Sequence, residues 1–240
     1  MHLLIADDNP LSLQFLRDAA QQLGHSCAEA ADGEAALRRA QAERFDVLLL
    51  DLRMPGLGGL AVLQQLRASA RAASREARAL ATTAEPDAAL RTTLQAAGFD
   101  GVLAKPLDIA ALQRALSPAG VAEPAAPYAL PAAAEAMALL DDALALRNLG
   151  SADSMHALRR LFRLELEALP GEIAAALAHG DTAVLTERLH KLCASASFCG
   201  APRLDQACRT LRRHIDGGGA LSAQELRTLL DAAEATLQAL

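Results

Sequence analysis

The sequence has few aromatic residues and no excess of positive charge. It contains no Trp, one Tyr and five Phe among 240 residues, and its formal net charge is −6. Proteins that bind nucleic acids use basic surfaces to contact phosphates and aromatic rings to stack on bases. The composition therefore argues against a nucleic-acid partner.

Long apolar runs are also absent. No uninterrupted apolar stretch reaches the roughly 20 residues that a membrane-spanning helix requires. The first predicted strand leads directly to Asp7 and Asp8, so the N-terminal segment is too short and too acidic for a signal peptide. The cysteines lie in apolar segments and lack the spacing of a disulfide framework: Cys27, Cys193, Cys199 and Cys208. We therefore expect reduced thiols, a cytoplasmic location and no membrane partner.

The first half of the chain alternates short apolar runs with amphipathic stretches, the pattern of βα units on a parallel sheet. The predicted strands are 3–6, 26–29, 46–50, 79–83 and 101–104. The predicted helices are 11–23, 34–43, 58–70, 86–97 and 108–116. Five such units predict a doubly wound α/β domain with flavodoxin-like strand order over residues 1–117.

The composition changes after this domain. Residues 117–131 contain four prolines and many alanines without a hydrophobic period, which is typical of a semi-rigid extended linker. We place this Ala/Pro-rich linker at 118–131. From 132 to 240 strand signals disappear, and four or five amphipathic helices with short connections predict an all-α helix bundle.

Five polar or charged residues occur where predicted strands end: Asp7, Asp8, Asp51, Thr83 and Lys105. The carboxyl ends of parallel strands meet at one edge of a sheet, where ligands bind. Three carboxylates brought together there would repel one another strongly. A hard cation such as Mg²⁺, which prefers oxygen ligands, relieves this repulsion. The pattern therefore predicts phosphoryl chemistry at an aspartate.

Residues 1–117 resemble a response-regulator receiver domain. The resemblance is carried by four blocks in order: Ile5-Ala6-Asp7-Asp8, Leu50 to Gly56, Thr83-Ala84-Glu85 and Leu103-Ala104-Lys105-Pro106. It implies that Asp51 is the phosphoacceptor. It also implies that Asp8 and Asp51 coordinate Mg²⁺ together with the backbone carbonyl of Arg53, while Asp7 acts largely through water.

The same resemblance assigns roles to the other strand-end residues. Lys105 would offset the charge of the phosphoryl oxygens, and the Thr83 hydroxyl would donate to one of them. Thr82 competes for this role, but side chains alternate along a strand, so we favour Thr83. The chain departs from the family at Val102, where a Tyr or Phe usually reports phosphorylation, so the resemblance does not extend to the aromatic part of the switch.

His190 is a second candidate site, on a helix predicted over 182–199. At about 100° per residue an apolar stripe faces the bundle: Leu185, Leu189, Leu192 and Ala196. His190 stands beside this stripe, next to small residues that include Cys193, Ala194 and Ser197. We therefore expect an exposed imidazole that another protein can approach closely.

Residues 130–240 resemble a histidine phosphotransfer (HPt) domain. The features that carry the resemblance are His190, Leu192, Ser195, Gly200-Ala201, the helix opening at Gly180-Asp181, and Leu204 and Cys208 on the next helix. It implies that His190 is phosphorylated on a ring nitrogen. The family usually has Lys or Arg three residues after the histidine, followed by Gly, where this chain has Cys193 and Ala194. Lys191 is also basic, but it lies about 100° around the helix from His190 and so points in a different direction.

Two alternatives remain for the bundle. His190 and Cys193 could bind zinc with Cys199 and Cys208, although zinc needs about four convergent ligands and Cys199 points away. The bundle could also have lost phosphotransfer and only dock a partner, which Cys193 and Ala194 would explain.

The combination of the two domains predicts an intermediate of a multistep phosphorelay rather than an ATP-using kinase. Asp51 and His190 would carry phosphoryl groups between a sensor or hybrid histidine kinase and a downstream receiver. They could also exchange the group with each other across the linker. Mg²⁺ is the expected cofactor.

Overall fold

A computed structural model describes residues 1–84, 86–105, 107–117, 137–179, 182–217, 219 and 221–240. The chain divides into two compact units, Met1–Ala126 and Pro127–Leu240. The predicted linker at 118–131 lies outside the described residues, as do Glu85, Pro106 and the predicted helix opening at Gly180-Asp181.

The first unit is built on a five-stranded parallel sheet in the order β2-β1-β3-β4-β5. The strands are β1 His2–Ala6, β2 Ser26–Ala30, β3 Val47–Asp51, β4 Arg78–Thr83 and β5 Gly101–Ala104. Their bounds differ from the predicted ones by one residue at most, and the strand order is the flavodoxin-like one. The prediction of a doubly wound domain is confirmed.

Five helices connect or follow these strands: α1 Pro10–Gln22, α2 Gly33–Ala42, α3 Gly59–Ala68, α4 Ala88–Ala96 and α5 Ile109–Leu116. Four of them begin at a polar residue whose side chain accepts a first-turn backbone N–H: Asn9, Asp32, Asp87 and Asp108. Such caps satisfy N–H groups that have no partner inside the helix. Local sequence therefore sets where these helices start.

The central strand β3 is buried along its whole length. Its apolar residues Val47, Leu48, Leu49 and Leu50 are each at most 2% exposed. A parallel strand that is covered on both faces has no polar side, which explains the continuous apolar run in the sequence. This buried strand carries Asp51 at its carboxyl end.

The second unit consists of helices in its described residues: α6 Asp142–Leu149, α7 Ala152–Ala178, α8 Thr182–Phe198, α9 Pro202–Asp216 and α10 Ala223–Ala239. Asp141, Ser151 and Ser222 cap three of them by accepting a first-turn N–H. The predicted helix bundle is confirmed. Within the described ranges no helix is long and apolar enough to cross a membrane.

Helix α8 is the most enclosed element of the bundle and packs against α6, α7 and α9. Its carboxyl-terminal half is buried on all sides, from Leu192 to Phe198. Two side chains of the preceding helices hold this end: Asn148 Nδ2 donates to the Ser197 carbonyl at 3.1 Å, and Arg159 donates to the Cys199 carbonyl at 3.1 and 3.2 Å. Small residues in this segment allow the neighbouring helices to approach.

Gly200 forms the turn between α8 and α9. Its φ is +68°, and a Cβ atom there would lie 2.4 Å from the Asp141 carbonyl oxygen. Its own carbonyl accepts the Asp141 N–H at 2.7 Å. The turn therefore requires glycine for both its backbone angle and its contact with the start of α6.

We expect Gly200→Ala to lower the free energy of unfolding of the second unit by about 1–3 kcal/mol, because it strains the backbone and displaces Asp141. Gly171→Ala is the matched control. Gly171 lies exposed within α7 with open space around its Cα, so the alanine should stabilise by about 0.5–1 kcal/mol. Chemical denaturation measures both, and equal effects of the two substitutions would contradict the assigned role of Gly200.

Candidate functional site

The ends of neighbouring strands bring an acidic cluster together. Carboxylate oxygens of Asp7, Asp8 and Asp51 all lie within 4.8 Å of one another. Asp7 and Asp8 directly follow β1, and Asp51 ends β3, which pairs with β1 in parallel register. Asp7 and Asp51 are buried, while Asp8 is half-buried. Three of the five strand-end residues predicted from the sequence are therefore in one place.

Lys105 joins this cluster from the far side of β4. Its Nζ lies 2.7 Å from Asp7 Oδ2 and 2.5 Å from Asp51 Oδ2, and the residue is 6% exposed. Because β4 lies between β3 and β5 in the sheet, the lysine side chain extends across the end of β4 to reach both carboxylates. The ammonium group thus links the ends of three strands.

The loop backbone fixes the other oxygens of these two carboxylates. Asp7 Oδ1 accepts the Asn9 N–H at 3.0 Å, and Asp51 Oδ1 accepts the Arg53 N–H at 3.1 Å. Each carboxylate is therefore held by one backbone donor and by Lys105, which fixes its orientation before any ligand binds. The Arg53 side chain is exposed.

The start of α3 packs tightly against the same strand end. A Cβ atom on Gly59 would lie 2.5 Å from the Asp51 carbonyl oxygen. Glycine at this position therefore lets α3 begin against the backbone that carries Asp51.

Burial and charge shift the pKa values of Asp7 and Lys105. Burial raises the pKa of Asp7, and the nearby Asp51 carboxylate raises it further, while Lys105 offsets only part of the shift. Burial alone would lower the pKa of Lys105, but attraction by Asp7 and Asp51 outweighs it, so the Lys105 pKa is raised. The lysine therefore stays protonated at neutral pH.

The donor chemistry of the cluster fits a hard divalent cation. Three ionised carboxylates and one ammonium (three negative charges and one positive) leave a formal charge of −2. Carboxylate oxygens are the ligands that Mg²⁺ takes, usually together with water. The arrangement therefore favours a hard divalent cation such as Mg²⁺ over zinc, which prefers nitrogen and sulfur ligands.

Two threonines at the end of β4 lie close to this site in the sheet. The Thr83 carbonyl accepts the Lys105 N–H at 2.7 Å, and Thr83 is buried. Thr82 is the register partner of Asp51, and its hydroxyl is buried without a hydrogen-bond partner among the described residues. The choice of Thr83 over Thr82 remains a prediction. Val102, on β5, is buried in the core.

The structure corrects the expectation that His190 is exposed, because the residue is only 7% exposed. Cys193, Ala194 and Ser197, expected beside an open imidazole, are buried as well. The predicted apolar stripe of α8 is buried as expected. The side of α8 that carries His190 is covered by α9, which places the Arg212 Nη1 atom 3.4 Å from His190 Nδ1.

Arg212 was not identified as a site residue from the sequence. It is 4% exposed and lies on the buried face of α9 with Leu204, Cys208 and Leu211. Arginine is rarely buried without a charged or polar partner. The sequence did contain a signal for this residue. Arg212 continues the apolar stripe of α9 at the spacing i, i+4, i+7 and i+8, where an apolar residue is expected.

The cysteines of the bundle do not form the alternative zinc site. Within the described residues, the group of three or more metal-ligating side chains with converging ligand atoms is Asp7, Asp8 and Asp51. Cys193 and Cys208 lie side by side, and burial raises the pKa of Cys208 well above its usual value. Buried thiols of this kind behave as small apolar groups.

Two family models match the chain. A model of the response regulator receiver domain matches residues 3–117, and a model of the Hpt domain matches residues 157–239. The first range contains the acidic cluster and Lys105, and the second contains His190 and Arg212.

Curated relatives match both regions at once. The sensor protein GacS of Pseudomonas syringae pv. syringae is 31% identical over 213 residues, which cover 86% of this chain and 24% of that protein. The histidine-protein kinase BarA of Shigella flexneri is 25% identical over 226 residues, covering 91% of this chain and 24% of that protein. The chain thus spans about a quarter of the length of these relatives.

A solved structure is similar to the first unit. The receiver domain of a sensor histidine kinase from Pseudomonas aeruginosa PAO1, determined with a magnesium ion in its active-site cleft, is 33% identical. The match covers 47% of this chain and 91% of the Pseudomonas aeruginosa chain, with a TM-score of 0.43.

A parallel sheet with an acidic cluster at its edge, followed by a helix bundle with a buried histidine, fits the two domain families that match, both of which are phosphorelay domains. The chain consists of a response-regulator receiver domain followed by an Hpt domain. Both predicted resemblances are confirmed.

We expect Asp7→Asn to raise the free energy of unfolding of the metal-free chain at neutral pH by more than the roughly 0.5 kcal/mol scatter of surface substitutions. The substitution removes a buried charge while Lys105 keeps its contact with Asp51. Because the folded-state pKa of Asp7 is raised above 3.8, its contribution to stability is greatest below about pH 4 and is lost as the pH rises through the raised pKa.

Urea unfolding in the presence of a chelator, at several pH values, measures this effect. The advantage of Asp7→Asn should shrink as the pH falls, because Asp7 then becomes neutral in the unsubstituted chain. Glu34→Gln is the control for loss of a carboxylate, because the Glu34 side chain on α2 is exposed. A stabilisation that is independent of pH would show that ionised Asp7 is not the cause.

Proposed function

We propose that the chain carries phosphoryl groups on Asp51 and His190, between a sensor or hybrid histidine kinase and a downstream receiver domain. The observation that supports this most directly is Asp51 Oδ2, which lies 2.5 Å from Lys105 Nζ within a cluster of three carboxylates. Neither matched family is an ATP-binding kinase domain. We therefore propose a phosphoryl carrier rather than a kinase.

At the receiver, an Asp51 carboxylate oxygen attacks the phosphorus of a donor phosphohistidine. The P–O bond to Asp51 forms as the P–N bond of the donor breaks, and the donor imidazole leaves with the bonding electron pair. Lys105 already contacts Asp51, so its ammonium is in place to neutralise an incoming phosphoryl oxygen. The backbone N–H of Arg53 holds the second Asp51 oxygen in position during the attack.

Asp7, Asp8 and Asp51 would hold Mg²⁺, with the Arg53 backbone carbonyl as a further ligand. Bound there, the ion supplies positive charge that offsets the repulsion between the carboxylate and the phosphoryl oxygens. Asp7 would act on it largely through water. Thr83 would donate its hydroxyl to a phosphoryl oxygen, and the buried Val102 would leave the switch without its usual aromatic reporter.

At the bundle, the same exchange would run between His190 and the aspartate of a phosphorylated receiver. Acyl phosphates and phosphohistidines are both energy-rich, so the phosphoryl group can move in either direction. The Hpt match favours this function over the alternative in which the bundle only docks a partner. Exchange between Asp51 and His190 of one chain remains part of the proposal.

We further propose a cytoplasmic protein with domains at 1–117 and 132–240 and a linker at 118–131. The four cysteines are free thiols, three of them buried, which fits a reducing compartment. The net charge of −6 supports protein partners rather than nucleic acid.

We expect Asp51→Asn to abolish the Mg²⁺-dependent modification of the chain by acetyl phosphate or beryllofluoride. Intact-mass analysis of the acetyl phosphate product and fluorine NMR of the beryllofluoride complex measure it. Asp46→Asn is the matched control, because Asp46 is exposed and lies at the opposite end of β3. A donor-dependent adduct that persists in Asp51→Asn would place the phosphoacceptor elsewhere.

We expect His190→Gln to abolish an acid-labile, base-stable phosphate that the full chain acquires from a phosphorylated receiver, its own or a separate one. The reason is that the imidazole is the only acceptor in this step of the proposal. His156→Gln, an exposed histidine on α7, should leave the phosphate unchanged. If the unsubstituted chain never acquires such a phosphate, the docking alternative takes the place of phosphotransfer.

A further inference from the structure

A buried arginine contacts the proposed phosphorylation site in the bundle. Arg212 lies on α9, is 4% exposed, and places Nη1 3.4 Å from His190 Nδ1 on α8. Its Nε lies 3.7 Å from Asp216 Oδ2, one turn further along α9. The side chain therefore has a carboxylate near its Nε, and its Nη1 lies next to the imidazole.

The position that usually carries positive charge in this family cannot do so here. Cys193 is 4% exposed and its thiol lies against that of Cys208, so this position faces the interior of the bundle. The neighbouring basic side chains are engaged elsewhere: Lys191 pairs with Glu187 at 3.1 Å, and Arg209 pairs with Asp205 at 2.9 Å. Arg212 brings a positive charge to His190 from a different helix.

The contact also determines which ring nitrogen carries the proton. A guanidinium can only donate hydrogen bonds, so Nδ1 of His190 must be the acceptor. The proton of the neutral ring then lies on Nε2, which is buried. An imidazole nitrogen needs a free lone pair to attack phosphorus, so neither nitrogen is ready for transfer while Arg212 holds Nδ1.

We propose that Arg212 is the phosphoryl-holding residue of the bundle, exchanging its contact with His190 Nδ1 for the phosphoryl oxygens once Nε2 is modified. This rests on the proposed phosphorylation of His190. When the ring proton moves from Nε2 to Nδ1, Nδ1 becomes a donor and can no longer accept from Arg212. The guanidinium is then released from the ring, and its forked N–H groups suit phosphoryl oxygens.

The transfer step balances. The Nε2 lone pair forms the N–P bond as the acyl phosphate P–O bond of the donor receiver breaks, and the donor aspartate leaves as a carboxylate. The ring proton remains on Nδ1. No oxidation or reduction occurs, and Arg212 keeps its proton throughout.

Arg212 should slow the loss of the phosphoryl group. Breaking the P–N bond passes through a loose, metaphosphate-like state, and as the bond breaks electron density moves from the phosphoryl oxygens to the leaving imidazole nitrogen. A guanidinium bound to the phosphoryl group therefore stabilises the phosphohistidine more than the state through which it decays. The lifetime of the phosphohistidine is the quantity that Arg212 controls.

The test uses the full chain with Asp51→Asn, so that the receiver cannot accept the phosphoryl group. Phosphoramidate supplies the phosphate, and phosphorus NMR follows its decay from His190 after the donor is removed. We expect Arg212→Gln to shorten the half-life by about tenfold or more, the effect of losing one charge-assisted hydrogen bond. Arg212→Lys keeps the positive charge but loses the forked N–H groups of the guanidinium. Its phosphohistidine half-life should therefore lie between those of the chain with Arg212 and the chain with Arg212→Gln.

Arg213→Gln is the matched control, since Arg213 neighbours Arg212 and is exposed. It should leave the half-life unchanged. If Asp51→Asn acquires phosphohistidine and Arg212→Gln decays at the same rate, this inference is wrong while the proposed function stands. If no phosphohistidine forms in Asp51→Asn, and none forms in the unsubstituted chain from a phosphorylated receiver, the proposed function of the bundle is wrong and the inference is wrong with it.

A second measurement does not depend on phosphorylation or on the stability of the variants. NMR of nitrogen-labelled histidine in the unmodified full chain reports the tautomer of His190. We expect the proton on Nε2, because Arg212 donates to Nδ1. A ring with its proton on Nδ1 in the unmodified chain would overturn the inference.

Discussion

The ammonium group of Lys105, buried between Asp7 and Asp51, is the interaction on which the receiver site depends. A buried charge is tolerated only when it is paired and hydrogen-bonded. Here one cation is shared by carboxylates from the ends of β1 and β3 and is carried by the residue after β5. The contact fixes the relative positions of three strand ends and leaves the cluster with enough negative charge to bind a divalent cation.

The bundle also places its candidate site residue, His190, beside a cation, but with a different geometry. His190 lies on the most enclosed helix of the unit, and its contact with a cation comes from the next helix through Arg212. The turn at Gly200 brings α8 and α9 together and ties them to the start of α6. In both units the proposed phosphorylation residue, Asp51 or His190, and its neighbouring cation come from different elements, so packing determines whether they meet.

The two candidate sites differ in whether the proposed phosphorylation residue must change its contacts before transfer. In the receiver, backbone donors and Lys105 already hold the Asp51 carboxylate at the edge of the sheet. In the bundle, the His190 ring is buried and its Nδ1 is in contact with Arg212, so the proposed transfer requires the imidazole to change partners first.

The sequence by itself determined the strands, the helix starts and the grouping of Asp7, Asp8, Asp51 and Lys105. These follow from local patterns: apolar runs, capping residues, and the rule that parallel strands end at one edge. It did not determine the burial of His190 or its contact with Arg212. Helical periodicity places a residue on a face of its own helix, but which faces are covered depends on how α8 and α9 pack. Only the tertiary structure decided that.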